Sequence, residues 1–189
     1  MEQTAVVDRT TSPRARLQEP SSHPYDLICV GFGISSLALA AAIKENNSSS
    51  NVLFLEQNIQ FSIEELSNSP SKYMETSFMY DLATLRNPTS EFTYLSYLQS
   101  QGDFDKFLEI SDEGIQTPLR SDFCEYLSWA ARKCEDKVEY GQQVVEVTPL
   151  SSSRWEVTSR DTNSGKFQVL AAKKVVYGNG RQAKLAQYS

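Results

Sequence analysis

Two short apolar runs stand near the start of the chain with a helix-like segment between them. LICV at residues 27–30 has no polar interruption, the pattern of a strand buried on both faces. Gly31-Phe32-Gly33 follows at once, and residues 34–43 then carry helix-forming Ala and Leu. After a Ser/Asn loop at 46–50, a second apolar run at 52–55 ends in Glu56. Strand, tight turn, helix and strand make a βαβ unit with the dinucleotide fingerprint. Gly31 permits the turn, and Gly33 lets backbone N–H groups approach a pyrophosphate at the positive end of the helix. Ser36 replaces the third glycine and is small enough for close helix–strand packing. Glu56 lies about 25 residues after Gly31, where an acid accepts hydrogen bonds from ribose hydroxyls and repels a 2′-phosphate. These residues predict FAD or NAD rather than NADP. The plainer reading, an α/β unit whose glycines only make a turn, leaves the acid at the end of an apolar strand unexplained.

Beyond this unit the pattern is mixed. Residues 59–72 are irregular and polar, with a turn at Ser69-Pro70-Ser71. Asn87-Pro88 should stop any helix begun at 81–86. Phe92, Leu95 and Leu98 recur at helical spacing and predict a helix over 90–101, capped by Thr89 or Ser90. A further helix is predicted over 120–134, with Phe123, Leu127, Ala130 and Ala131 on one face and Ser121 as N-cap. Tyr126 and Trp129 fit the core better than a stacking platform. After Lys137 the period shortens to that of strands, at 138–140, 144–147, 154–159, 167–170 and 174–177. Asn163-Ser164-Gly165 supplies a hairpin turn, and Gly178-Asn179-Gly180 follows the last run.

Composition changes this picture little. The 189 residues suffice for one good core, and the net charge of −6 argues against nucleic acid or an anionic membrane as partner. No apolar run reaches membrane-spanning length, and the polar N-terminus lacks the apolar stretch of a secretory signal. Residues 1–24 read as a disordered tail, with a targeting peptide as the alternative. Cys29, Cys124 and Cys134 have no metal or redox spacing and read as free thiols of a reducing cytoplasm. His23 is the one histidine, so a His-based triad or metal site is not expected.

Longer blocks carry a family resemblance. DLICVGFGISSLALA, NVLFLEQNIQFS, the stretch from Met74 to Leu98 with DLATLRNPTS inside it, TPLRSDFCEYLSWAA and VVEVTPL run through most of residues 25–180. In these the chain resembles the flavin-dependent N-hydroxylating monooxygenases, especially the fungal L-ornithine N5-monooxygenases of siderophore biosynthesis. The DLATLRNPTS block is far more specific than the glycine turn. The resemblance implies an α/β, Rossmann-like FAD-binding domain with a parallel sheet, inserted helices and a small antiparallel β-meander, here residues 25–189. It implies FAD held by Gly31, Gly33, Ser36 and Glu56, with Val144 meeting adenine through its backbone. It also implies NADPH as reductant of the flavin, O2, and transfer of one oxygen atom to the terminal amine of ornithine.

Departures from that pattern set further expectations. No second Gly-rich βαβ unit is present, so the NADPH domain is absent and NADPH enters only with another chain. Where the family has an aromatic-His pair after the second strand, FSIEEL places Ile63 and Glu64. Where it has a Gln near flavin and nicotinamide, SKYMET places Glu75; where the ornithine enzymes have a substrate-binding Lys, Tyr80 stands. Glu75 and Tyr80 are therefore the candidate catalytic residues, and a phenol cannot neutralise a substrate carboxylate as Lys does. Asp81 and Arg86 fit structural pairing better than ligand contact, and Arg120 with Asp122 reads as an ion pair at a helix start. Three roles follow. One is an N-monooxygenase FAD part, truncated or half of a split enzyme, acting on a small-molecule amine. The second is a repurposed non-redox cyclase or isomerase of secondary metabolism using Glu64, Glu75 or Tyr80. The third is an inactive interaction module that pairs with itself or with a full-length relative.

Overall fold

A computed structural model describes residues 23–112 and 117–178. The expected tail falls almost wholly outside these residues, as does Gly180. β1 (Leu27–Val30), α1 (Ile34–Glu45) and β2 (Val52–Glu56) form the βαβ unit at the expected places. A helical region follows: α2 (Glu64–Ser67), a 3-10 turn (Phe78–Tyr80), α3 (Tyr94–Gln101), α4 (Asp105–Asp112) and α5 (Arg120–Lys133). A second 3-10 turn (Glu135–Lys137) leads into β3 (Val138–Tyr140). Then come β4 (Gln142–Ser151), β5 (Arg154–Asp161), β6 (Phe167–Ala172) and β7 (Val175–Tyr177).

The strands divide between two sheets. β3, β2, β1 and β7 lie in that order and run parallel, while β4, β5 and β6 form an antiparallel meander. Every residue of β2 is buried, which is why its sequence shows no alternation. The two sheets meet over Ile28, Leu53, Leu55, Val157 and Ala172. A larger core on the other face joins α1 and α5 to β1 and β2. A mixed α/β domain with a parallel sheet, inserted helices and a separate β-meander is the expected fold.

Several boundaries differ from the sequence reading. The helix expected from residue 90 begins at Tyr94, and its cap is Thr93, whose hydroxyl accepts from Ser96 N at 3.0 Å. Ser90 is instead buried and its hydroxyl accepts from Phe92 N, which holds a turn and not a helix. Ser121 caps nothing: α5 starts one residue earlier, after Leu119, with no side-chain cap bond. Helix α4 was not expected, because Phe107, Leu108 and Ile110 fall within four residues, too short a run to show a period. Its anchor is tertiary, with the Phe107 ring 5.5 Å from Phe78. The antiparallel strands run longer than their apolar runs, since ladder bonds extend pairing over polar residues such as Gln142 and Arg160.

The DLATLRNPTS block forms a strap across α5, and its polar side chains are used within the protein. Asp81 accepts four hydrogen bonds, from Ala83 N, Thr84 N, Thr84 Oγ1 and Tyr94 N, at 2.6–2.9 Å. Arg86 pairs with Glu45 at the end of α1. Asn87 accepts from Thr89 N and Thr89 Oγ1. Tyr126, fully buried on α5, donates to Phe92 O at 2.8 Å and accepts from Leu82 N at 3.0 Å. It belongs to the core, as its spacing suggested. Removing its hydroxyl leaves two buried backbone groups of the strap unpaired. Tyr126→Phe should cost about 2–3 kcal/mol in urea denaturation; a loss below about 0.5 kcal/mol would mean that the strap repairs itself with water.

Candidate functional site

The parallel sheet reverses its winding between β1 and β7, because the chain leaves β1 toward β2 and β3 and later returns to the other side of β1. In open α/β sheets this switch point, at the carboxyl ends of the strands, is where ligands bind. The Gly31-Phe32-Gly33 turn lies there. Gly31 has φ +89, a left-handed conformation that favours glycine, and its N–H donates to Leu55 O at 2.8 Å. Gly33 is the N-cap of α1 at φ −82 and has no side chain to cap the helix. The first intrahelical donor is Leu37 N, bonded to Gly33 O at 2.9 Å. The N–H groups of residues 34–36 therefore lack helical partners, and no acidic residue sits in that turn. The positive end of α1 is left for an anion from elsewhere.

Gly33 shows why the cradle is open. Its backbone needs no glycine, and a Cβ placed there would meet only Gly178 O, at an ordinary 3.5 Å. Nothing among the described residues demands glycine at this position, and the space beside it is open.

Glu56 reaches back from the end of β2 to close the turn. One carboxylate oxygen accepts from Phe32 N at 2.7 Å and the other from Asn58 N at 2.8 Å. The residue is 9% exposed, and each oxygen retains a lone pair for a further donor. Phe32, which the sequence reading passed over, is the keystone of the turn. Its ring is buried edge-on against Phe54, Phe61 and Tyr140, at 5.2, 5.8 and 6.3 Å. The signal was faint, a bulky apolar residue between two turn glycines, and its partners are distant in sequence. Tyr140 pairs with Glu56 across β2 and β3, and burial, then Glu135 and Glu56, pushes its phenol up to about 12. Ser36 is buried at the first turn of α1. Val144 lies on β4, half-buried beside β5 and paired with Ser159.

The other predicted residues lie differently. Glu75 and Tyr80 are both exposed, Tyr80 to 65%, and neither side chain forms a hydrogen bond or ion pair among the described residues. Their segment is nevertheless fixed, because residues 73 and 119 form an antiparallel bridge and Met74 N donates to Pro118 O. Arg120 contributes to the same anchor and corrects an expectation. It does not pair with Asp122: its guanidinium donates to Ser71 O at 2.9 Å, Tyr73 O at 3.0 Å and Leu66 O at 3.5 Å. Asp122 instead faces Lys106 at 3.9 Å. A planar fork with fixed donors suits several carbonyls at once, and only the fold brings those carbonyls together. Ile63 is half-buried against the core. Burial pushes the thiols of Cys29 and Cys134 up to about 12 and about 11, so neither is a nucleophile at neutral pH.

A parallel sheet of this order, a glycine turn at its switch point and an acid closing that turn define a Rossmann-type nucleotide-binding domain. The chain belongs to the L-lysine 6-monooxygenase/L-ornithine 5-monooxygenase family, whose profile matches residues 23–188. It is 46% identical over 131 residues to an L-ornithine N(5)-oxygenase of Arthrobotrys oligospora, covering 68% of this chain and 26% of that one. It is 35% identical over 162 residues to an L-ornithine N(5)-monooxygenase of Ajellomyces capsulatus, covering 82% and 34%. Among solved structures, it resembles the reduced ornithine hydroxylase of Pseudomonas aeruginosa with TM-score 0.75 and 30% identity, over 87% of this chain and 41% of that one. The FAD-bound cadaverine monooxygenase of Erwinia amylovora gives TM-score 0.73 and 31% identity, over 84% and 36%. The matched part of the chain thus spans between a quarter and about a third of the length of these curated relatives. Among the described residues no helix is long and apolar enough to cross a membrane.

Proposed function

We propose that this chain is the FAD-binding part of an N-hydroxylating monooxygenase of the L-ornithine N5 type, serving siderophore or related secondary metabolism. The observation that carries this reading is the cradle itself, in which Gly33 keeps open a space that the protein's own packing does not require. Family membership favours it over a cyclase or isomerase. The unpaired N–H groups at the start of α1 hold the pyrophosphate. Glu56 accepts hydrogen bonds from the adenosine ribose with its remaining lone pairs, and its charge disfavours a 2′-phosphate. The backbone of Val144 would meet the adenine. When bound, FAD would supply the redox chemistry of a monooxygenation, in which NADPH provides two electrons, one atom of O2 goes to the amine nitrogen of a small-molecule substrate and the other leaves as water.

Glu75 and Tyr80 stand at the substrate end, on the segment that Arg120 and the 73–119 bridge hold in place. A phenol there hydrogen-bonds a substrate but leaves its carboxylate charge unpaired, so the preferred amine differs from ornithine in its acidic end or draws on a cation outside the matched third. NADPH binding and the rest of the substrate site likewise draw on residues outside the part of the relatives matched here.

The test is the visible spectrum of the purified protein, with flavin quantified after heat release and FAD added back. Near-stoichiometric FAD that NADP+ does not displace is the expected result. A colourless protein that takes up no added FAD overturns the proposal.

A further inference from the structure

We infer that Ser36 and Gly178 form a single packing unit that sets the shape of the cradle, and that Gly178 is thereby a positioning residue for the FAD pyrophosphate. The inference rests on the FAD-binding reading above and concerns a residue beyond the glycine fingerprint.

At the third fingerprint position a glycine ordinarily lets the first helical turn approach the sheet closely. Ser36 occupies it here with a side chain 3% exposed, whose hydroxyl has no hydrogen-bond partner among the described residues. Room for that side chain comes from the neighbouring strand end. A Cβ built on Gly178 would stand 2.0 Å from Ser36 Oγ, 3.3 Å from Ser36 Cβ and 3.5 Å from Gly31 O. Gly178 is not among the glycines with positive φ, so what it provides is space rather than backbone freedom. It cannot simply withdraw, because its N–H donates to Val30 O at 2.8 Å and continues the β1–β7 pairing. It also borders the cradle, since its carbonyl oxygen is the atom nearest a Cβ built on Gly33. The glycine that Ser36 displaced from α1 is thus required on the opposite wall.

A side chain at 178 has two contacts to relieve. Rotating Ser36 moves the hydroxyl but leaves the 3.3 Å contact with its Cβ, so the first turn of α1 must shift by a few tenths of an ångström. That turn carries the N–H groups that face the pyrophosphate. The geometry yields a graded series. The S36A change removes the 2.0 Å contact and keeps the 3.3 Å one, whereas S36G removes both and leaves only an ordinary contact with Gly31 O.

The experiment is a double-mutant cycle on the full chain, with G178A, S36A, S36G, S36A/G178A and S36G/G178A. FAD affinity is read by flavin fluorescence, and Tm is read without flavin. G178A should weaken FAD binding about tenfold and lower the flavin-free Tm by roughly 4–8 °C, the usual range for one surplus methyl in a tight site. S36G/G178A should match S36G alone within about twofold in affinity and about 1 °C in Tm, with S36A/G178A between the extremes. Equal losses from G178A in the parent and S36G backgrounds reject the pairing. A paired Tm response with unchanged FAD affinity rejects the positioning role. A wild-type protein that takes up no FAD rejects the parent reading and the positioning role with it.

Discussion

Asp81→Ala should be among the most destabilising single changes in this protein, costing about 3–5 kcal/mol. The carboxylate accepts from Ala83 N, Thr84 N, Thr84 Oγ1 and Tyr94 N, and so ties the start of the strap to the first turn of α3. Hydrogen bonds to a charged acceptor contribute about 1.5–3 kcal/mol each, and water replaces some of them on the half-exposed side. For a chain of this size the loss corresponds to a fall in Tm of roughly 8–15 °C. Asp81→Asn separates geometry from charge. One oxygen still accepts from the turn, while the amide nitrogen faces donors at Thr84 Oγ1 and Tyr94 N, so about half the loss should remain. Thermal denaturation of the three proteins decides it. An alanine variant as stable as the parent would show that the strap holds through its apolar side chains alone, Leu82 and Phe92 above all.

The second large effect concerns binding. Glu56→Gln should weaken FAD binding roughly 30-fold, equivalent to about 2 kcal/mol, and narrow the preference against 2′-phosphorylated nucleotides. The carboxylate now serves Phe32 N and Asn58 N together. A carboxamide has one accepting oxygen, so its NH2 must face one of those two donors. The turn between β1 and α1 then loosens where the phosphate N–H groups are presented, and the ribose loses a charged acceptor. Fluorescence titration with FAD, with NADP+ as competitor, measures both effects. Unchanged FAD affinity in E56Q would reduce Glu56 to a clasp of the turn with no part in binding.

The same side chain shows how much of the site was legible in the sequence. An acid ending an apolar strand at the right distance from a glycine turn predicts a ribose-binding position without a structure. It does not show that the acid also holds Phe32 N, because that contact exists only once β1 and β2 pair in register, Val30 beside Leu55. Arg120 is the opposite case. Its position beside Asp122 suggested an ion pair, but α5 carries the guanidinium toward the carbonyls of residues 66, 71 and 73. The DLATLRNPTS block was conspicuous as sequence, and Asp81 and Arg86 read as structural there, yet the order of residues does not give their distant partners, Tyr94 N for Asp81 and Glu45 for Arg86.

By itself the sequence determined the βαβ unit, the glycine turn, the switch from helices to strands after residue 137 and the family, because each depends on local period or on residues close together along the chain. Tertiary structure decided the order of the parallel sheet, the start of α3, the existence of α4 and the partners of Arg120. It also decided that Gly178 rather than Ser36 supplies the missing space beside the cradle. These depend on contacts between residues far apart in the chain, and hydrophobic spacing carries no record of which distant backbone a buried side chain will meet.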